Sequence, residues 1–145
     1  MGIIDKIKWS WDKLSVLESL IKKWRPRGCE SEKDYENSLY QFLWRELPDH
    51  DITRQSAKGR FRADIVIDDE VIIEIKNNLD STAKYQRLVG QIEEYSNWEG
   101  KVILVLVGDT EPNLRKQLLD LVKKKNNSFG LTFFDSDNKF FIIEK

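Results

Sequence analysis

Three charged side chains lie within two runs of the sequence that otherwise have the composition of buried β-strands. Asp64 lies in the first run, Phe61–Ile67, and Glu74 and Lys76 lie in the second, Val71–Lys76. Burial of a carboxylate or an ammonium group is costly unless a partner compensates the charge. A divalent cation with a water molecule beside it is the partner that best accounts for all three charges.

The loop between the two predicted strands determines whether the carboxylates meet. If residues 68–70 form a three-residue loop, Ile67 pairs with Val71, and Asp64 then lies opposite Glu74. Opposed Cβ atoms in an antiparallel pair lie roughly 4.5–5.5 Å apart, so two like charges there need a cation between them. A two-residue loop would shift the register by one residue and separate the pair.

Oxygen ligands of this kind suit Mg²⁺ or Mn²⁺, which bind through one or two carboxylates together with a phosphate. Such a cation polarises the phosphate and lowers the pKa of a coordinated water. Lys76 would orient that water or stabilise the charge that develops on the phosphate. The alternative interpretation is that the two strands have one solvated face on which the charges simply pair.

The pattern of an acid, any residue and then lysine carries no information alone, because it occurs three times in the chain. The copies at residues 99–101 and 137–139 lie in predicted turns, where charge needs no explanation. Only Glu74 is enclosed by apolar residues and preceded by a strand with its own acid. The strand context, and not the triplet, therefore indicates the site.

The composition excludes several kinds of site and partner. The net charge of −1 differs from the strong positive charge of a protein that coats nucleic acid nonspecifically. The single cysteine, Cys29, can form no disulfide within the chain, and the single histidine, His50, excludes a two-histidine metal site. His50 lies in a predicted turn, so we expect no catalytic role for it.

The chain has the length of one domain, and we expect residues 1–145 to form one. Its longest apolar run, residues 102–107, is too short to cross a bilayer, and its first residues lack the apolar block of a signal peptide. The sequence therefore predicts a cytoplasmic protein with no membrane association.

Hydrophobic spacing predicts a mixed α/β sheet flanked by helices. Helices are expected over residues 3–24, from Ser31 to Pro48, from Asp80 or Ser81 to about Asn97, and over residues 112–125. Strands are expected over residues 52–55, 61–67, 71–76 and 101–107, with a terminal hairpin formed by residues 131–134 and 140–143. In the second strand, alternation predicts one shared face for Phe61, Ala63, Ile65 and Ile67.

The expected domain has a core of residues 31–108, to which residues 109–145 add a helix and the terminal hairpin. The first helix, within residues 1–27, can be an appendage to that core. Several of its apolar residues lie near heptad positions, and Trp9 adds aromatic surface; the heptad set is Ile4, Ile7, Trp11, Leu14 and Ile21. Such a helix could form a homodimer or bind a partner protein. The alternative, packing on its own sheet, is favoured.

The segment from Glu36 to Val107 resembles the PD-(D/E)XK nuclease superfamily in its order of helix, β-meander, helix and strand. The motif of that family matches Asp64, Glu74 and Lys76, with Ala63 at the position of the proline. The resemblance implies a restriction-endonuclease-like core and Mg²⁺- or Mn²⁺-dependent hydrolysis of phosphodiester bonds in DNA. Asp64 and Glu74 would hold the cation, and Lys76 would position the attacking water.

Two further positions extend the resemblance. Many members carry a glutamate on the helix before the meander as an extra metal or water ligand, and Glu36 is the candidate here. RecB-type nucleases carry Gln-x-x-x-Tyr on the next helix, which Gln91 and Tyr95 match, and residues four apart share a helix face. They would support the substrate or the lysine, with Gln86 as a weaker alternative. Glu36 can also be an ordinary surface charge.

Basic residues around the motif are candidates for contacts with DNA phosphates. One group precedes Asp64 and the other begins the following helix; the candidates are Arg54, Lys58, Arg60, Arg62, Lys84 and Arg87. The alternative is ordinary solvated charge. Two other functions stay open: a catalytically inactive nuclease-fold module for DNA binding or assembly, and a Holliday-junction-resolvase-like dimer.

Overall fold

The structure, a computed structural model, describes residues 3–58, 61–128 and 138–145, with side chains from residue 13 to 57, 61 to 127 and 138 to 145. The described part is a mixed α/β fold, as predicted. Its helices are α1 (Ile3–Lys23), α2 (Glu32–Glu46), α3 (Thr82–Tyr95) and α4 (Pro112–Ser128). Its strands are β1 (Ile52–Lys58), β2 (Phe61–Ile67), β3 (Val71–Asn77), β4 (Lys101–Val107) and β5 (Phe140–Glu144).

The five strands form one sheet in the order β1-β2-β3-β4-β5. The first three are an antiparallel meander, and β4 and β5 run parallel to β3. Helix α3 makes the crossover that a parallel β3–β4 pair requires. The predicted hairpin partner of β5, residues 131–134, lies outside the described residues.

Local signals define where α2 and α3 begin. The Ser31 hydroxyl accepts a hydrogen bond from Asp34 N, and the Asp34 carboxylate accepts one from Ser31 N, which completes a capping box. Ser81 is the N-cap of α3, which decides between the two predicted starts. Strand β1 extends to Lys58, three residues beyond the predicted end, because it still pairs with β2 there, through Lys58 and Phe61.

Helices cover both faces of the sheet. On one face α1 and α2 contribute Leu17, Ile21, Leu39 and Leu43 to a cluster of buried residues, which also includes Trp24, the residue after α1. On the other face α3 and α4 contribute Leu88, Ile92, Tyr95, Leu118 and Val122. Strand β4 supplies alternate residues to the two clusters, which explains why its sequence is apolar throughout.

The second half of α1 packs on the sheet through Leu17 and Ile21, and Trp24 directly after the helix joins them. The prediction of a docking face depended mainly on Ile4, Ile7, Trp9 and Trp11, whose side chains lie outside the described residues. That prediction therefore stays a prediction.

The predicted single face of β2 is wrong. Ile65 and Ile67 pack in the α1–α2 cluster, but Ala63 packs in the α3–α4 cluster, with Phe61 against it. The β2–β3 ladder ends at the Ile65–Ile73 pair, while β1 still pairs with β2 as far as Phe61. The backbone of the first half of β2 thus pairs with β1 alone, and its residue Ala63 packs toward α3.

The loop between β2 and β3 has the predicted three residues. Ile67 pairs with Val71, and Glu70 N donates to Ile67 O at 2.9 Å. Asp68 and Asp69 both have φ 53°, a left-handed conformation that Asp adopts more readily than most residues.

Asp68 holds this loop to the rest of the fold. Its Oδ1 accepts from Asp51 N at 2.9 Å, and its Oδ2 lies 2.9 Å from the buried Lys13 Nζ and 2.6 Å from His50 Nδ1. The only histidine therefore contacts a structural carboxylate.

Replacing Asp68 by alanine is expected to destabilise the protein by about 2 kcal/mol, because buried Lys13 loses a partner and Asp51 N loses its acceptor. Asp68→Asn keeps an acceptor for Asp51 N and tolerates the left-handed backbone, so it should cost less. Urea denaturation of both variants measures the difference. Equal stability of Asp68→Ala and the unchanged protein would contradict this role.

Candidate active site

The two predicted carboxylates meet where β2 and β3 part. One step beyond the Ile65–Ile73 pair, the same register sets Asp64 opposite Glu74, as the loop length predicted. Here side chains replace the backbone ladder: Ile75 N donates to Asp64 Oδ2 at 2.8 Å, and Asp64 N lies 3.4 Å from Glu74 Oε2. The carboxylates therefore face each other in a gap that opens between the strands.

Helix α3 supplies the two donors that hold Glu74. Gln91 Nε2 donates to Glu74 Oε1 at 3.0 Å, and the Tyr95 hydroxyl donates to Oε2 at 3.1 Å. All three side chains are buried, and Gln91 and Tyr95 lie one helical turn apart. Gln91 Oε1 is also buried and accepts no hydrogen bond within the described residues. Gln86, the weaker alternative, is exposed.

Burial makes both carboxyls poor acids. It raises the pKa of Glu74 to about 8, with the Asp64 charge as the next cause. Burial likewise raises the pKa of Asp64 to about 6, and the carboxylates of Glu36 and Glu32 act in the same direction. The pair consequently retains a proton at a pH where an exposed carboxyl would be ionised.

Lys76 is 8% exposed and lies between two carboxylates. Its Nζ is 3.9 Å from Glu74 Oε1 and 3.7 Å from Glu32 Oε1. Both distances exceed that of a hydrogen bond, so the ammonium group is near the carboxylate pair without being fixed to either acid. Glu32, one turn before Glu36 on α2, was not predicted.

Glu36 is 5% exposed, so it is not an ordinary surface charge. Its Oε1 accepts from Gln55 Nε2 at 2.5 Å, and the same nitrogen lies 3.4 Å from Asp64 Oδ1. One amide thus bridges the predicted third ligand to Asp64.

Gln55 was missed by the sequence prediction, and its backbone is unusual. The pairs Arg54–Ile65 and Ser56–Ala63 flank it, so its position in β1 is opposite Asp64. Its φ of 51° is left-handed, which costs a non-glycine residue on the order of 1 kcal/mol or more.

Arg54 is a charge partner of Glu36 in this structure. Its Nη2 is 3.3 Å from Glu36 Oε2 and also donates to Asn37 Oδ1. The guanidinium lies over the ring of Tyr40, 5.0 Å from its centroid. Arg54 therefore offsets the charge of Glu36 in the cleft wall, and its contact with a DNA phosphate stays a prediction.

These side chains border an open cleft of about 700 Å³ beside Asp64. Its lining comes from the start of α2 and from β1 and β2: Glu32, Lys33, Glu36, Asn37, Arg54, Gln55 and Asp64. A smaller hollow of about 100 Å³ lies beside Lys76 and is lined by Glu32, Lys76, Asn77, Leu79, Lys84 and Arg87. Glu32 borders both spaces.

The other predicted phosphate contacts are distributed unevenly. Lys84 and Arg87 line the hollow beside Lys76, with Lys84 Nζ 3.1 Å from Asp80 Oδ1 and Arg87 over the ring of Phe61. Arg62 is exposed on β2. The side chain of Lys58 and the whole of Arg60 lie outside the described residues.

Among the described residues, no group of three or more His, Cys, Asp or Glu side chains is close enough together to hold a metal ion. In the same part of the chain, no helix has the length and apolar character needed to span a membrane. No family model, no curated protein and no solved structure matches this chain.

Proposed function

We propose that this protein is a metal-dependent nuclease that hydrolyses phosphodiester bonds in DNA on a restriction-endonuclease-like core. One observation carries the proposal: Asp64 and Glu74 face each other at the divergence of β2 and β3, with Lys76 3.9 Å from Glu74. The element order α2, β1–β3, α3 and β4 supports the core.

Asp64 and Glu74 would hold Mg²⁺ or Mn²⁺, with Glu36 as a further oxygen ligand. The donors are all carboxylate oxygens, and among the described residues Asp64 Oδ1 has only the long contact with Gln55. Two protein carboxylates are sufficient, because Mg²⁺ completes its coordination with water and phosphate oxygens. The bound cation would polarise the phosphate and acidify a coordinated water.

The remaining groups would orient the reactants. The Lys76 ammonium would hold the attacking water or offset charge on the phosphate. Gln91 and Tyr95 would fix the Glu74 carboxylate through their hydrogen bonds. The unused Gln91 Oε1 would accept a hydrogen bond from Lys76 or from the water.

Phosphates on either side of the cleavage point would contact the basic side chains near the hollow. Lys84 and Arg87 border it together with Lys76, and Arg62 is exposed on β2. Arg54 would act indirectly, by neutralising Glu36.

The direct test offers linear, circular, single-stranded and four-way-junction DNA, and RNA, to the purified protein with Mg²⁺, Mn²⁺ or chelator. We expect cleavage of DNA with either cation and none with chelator. Calorimetry measures Mn²⁺ binding in parallel. No cleavage together with no Mn²⁺ binding would contradict the proposal and favour a binding or assembly module.

A further inference from the structure

Trp44 is the most exposed large apolar side chain in the described part of the chain, at 62%. It lies on α2, one turn after Tyr40 and two turns after Glu36, so the three side chains share one face of the helix. A surface groove of about 250 Å³ runs along this face, lined by Tyr40, Gln41, Trp44 and Arg45.

The groove is next to the cleft beside Asp64, and the stacked pair of Arg54 and Tyr40 lies between the two. Arg54 lines that cleft, and its guanidinium lies over Tyr40, which lines the groove. Eight helical residues separate Glu36 from Trp44, which is about 12 Å along the axis. At 3.4 Å per nucleotide, that distance is about three to four nucleotides of stacked strand.

We propose that this groove binds unpaired bases next to the cleaved bond, with Trp44 as the stacking ring and Tyr40 as the floor. The inference rests on the proposed nuclease function and narrows its substrate to DNA that carries a single-stranded segment. Bases of a duplex stack on one another, so only an unpaired base can offer its face to the indole. Arg45 is exposed beside the ring and would contact the backbone phosphates.

The size and chemistry of the groove favour a base over a protein partner. A stable protein interface buries roughly 800 Å² on each partner around several apolar side chains. The described surface here offers one exposed indole in a small groove with arginine at each end. Single-strand binding needs only that combination of an aromatic face and positive charge.

Fluorescence anisotropy measures the binding of single-stranded DNA to the Trp44 groove in the presence of Mn²⁺. The measurement uses the Lys76→Met variant, because the bound DNA then stays intact. A base that stacks on an aromatic ring gains affinity from it, so Trp44→Ala should weaken single-strand binding by roughly 10-fold or more. Trp44→Phe should retain most of the affinity. Leu119→Ala removes the other exposed large apolar side chain, at 38%, and should change nothing.

Two further readouts separate stacking from other roles. Trp44→Ala should leave the dependence of affinity on salt unchanged, because stacking neutralises no phosphate, and should lower the preference for single strands over blunt duplex. Three results for Trp44→Ala would overturn the stacking proposal. They are an unchanged affinity for single strands, an equal loss of affinity for duplex, and dissociation of an oligomer in sedimentation. If the wild-type protein cleaves nothing but its binding of single strands still depends on Trp44, only the nuclease proposal is overturned.

Discussion

Replacing Lys76 by methionine will abolish DNA cleavage and leave the protein folded. We expect the rate to fall by about 10²–10³-fold, since one positioned group that stabilises developing charge contributes that much. Methionine keeps the length and apolar body of this nearly buried side chain. Its uncharged end also takes the Lys76 ammonium away from Glu74 and Glu32, so Mn²⁺ should bind at least as tightly as before.

The measurements are single-turnover cleavage, Mn²⁺ calorimetry and circular dichroism on the same preparation. Lys101→Met is the matched control because Lys101 also ends an acid–any residue–lysine triplet, but its Nζ contacts Asn138 O away from the carboxylate pair. It should cleave within about threefold of the unchanged protein. Full activity of Lys76→Met would remove the lysine from the mechanism, whereas lost Mn²⁺ binding would assign it a structural role.

The register of the carboxylate pair could be predicted because it depends only on local chemistry. Strand alternation and the length of one loop set Asp64 opposite Glu74, and aspartates supply the left-handed residues of that loop. The placement of Gln91 and Tyr95 also follows from helical spacing once α3 is placed on the sheet.

The other wall of the site depends on tertiary packing and could not be predicted in the same way. Glu32 approaches Lys76 only because α2 crosses the face of the sheet at that point. Gln55 lies opposite Asp64 in the edge strand β1, and its own backbone has a left-handed conformation. The sequence contains no glycine or other signal at this position that would predict it. The ion pair of Arg54 with Glu36 likewise joins β1 to α2, and sequence spacing gives no indication of it.

The prediction of a single face for β2 fails at the same point of the strand where the site forms. Alternation holds while the backbone keeps regular strand geometry, and the change of face in β2 coincides with the loss of its β3 partner after Ile65. The separation that moves Ala63 to the α3–α4 cluster also opens the gap that Asp64 and Glu74 face. A break in a strand pattern next to a buried acid is therefore informative.

Replacing Glu74 by glutamine will weaken Mn²⁺ binding at least about 10-fold, yet stabilise the metal-free protein at high pH. The folded-state pKa of Glu74, about 8, lies above its ordinary value of 4.5, so the folded state keeps a proton that the unfolded state has lost. The resulting stability is fully present below about pH 4.5 and is lost as the pH rises through about 8. Glutamine carries no charge and avoids that loss.

Thermal unfolding in chelator measures this difference. At pH 8.5 the free energy of unfolding of the glutamine variant should exceed that of the unchanged protein by on the order of 1–2 kcal/mol, and its unfolding temperature by roughly 3–10 °C. This expectation allows for one weaker hydrogen bond to Gln91 or Tyr95. At pH 5 the two should differ little, because Glu74 is then protonated. Mn²⁺ at pH 8.5 should raise the unfolding temperature of the unchanged protein and not that of the variant.

The exposed Glu99→Gln is the matched control, since it removes the same charge from another acid–any residue–lysine triplet. It should show neither the stabilisation at pH 8.5 nor the loss of the Mn²⁺ effect. If Glu74→Gln has the same pH dependence as the unchanged protein, Glu74 ionises at an ordinary pH, and desolvation beside Asp64 is absent. If it is stabilised but still binds Mn²⁺ fully, the buried charge is a cost to the fold that serves some purpose other than holding a cation.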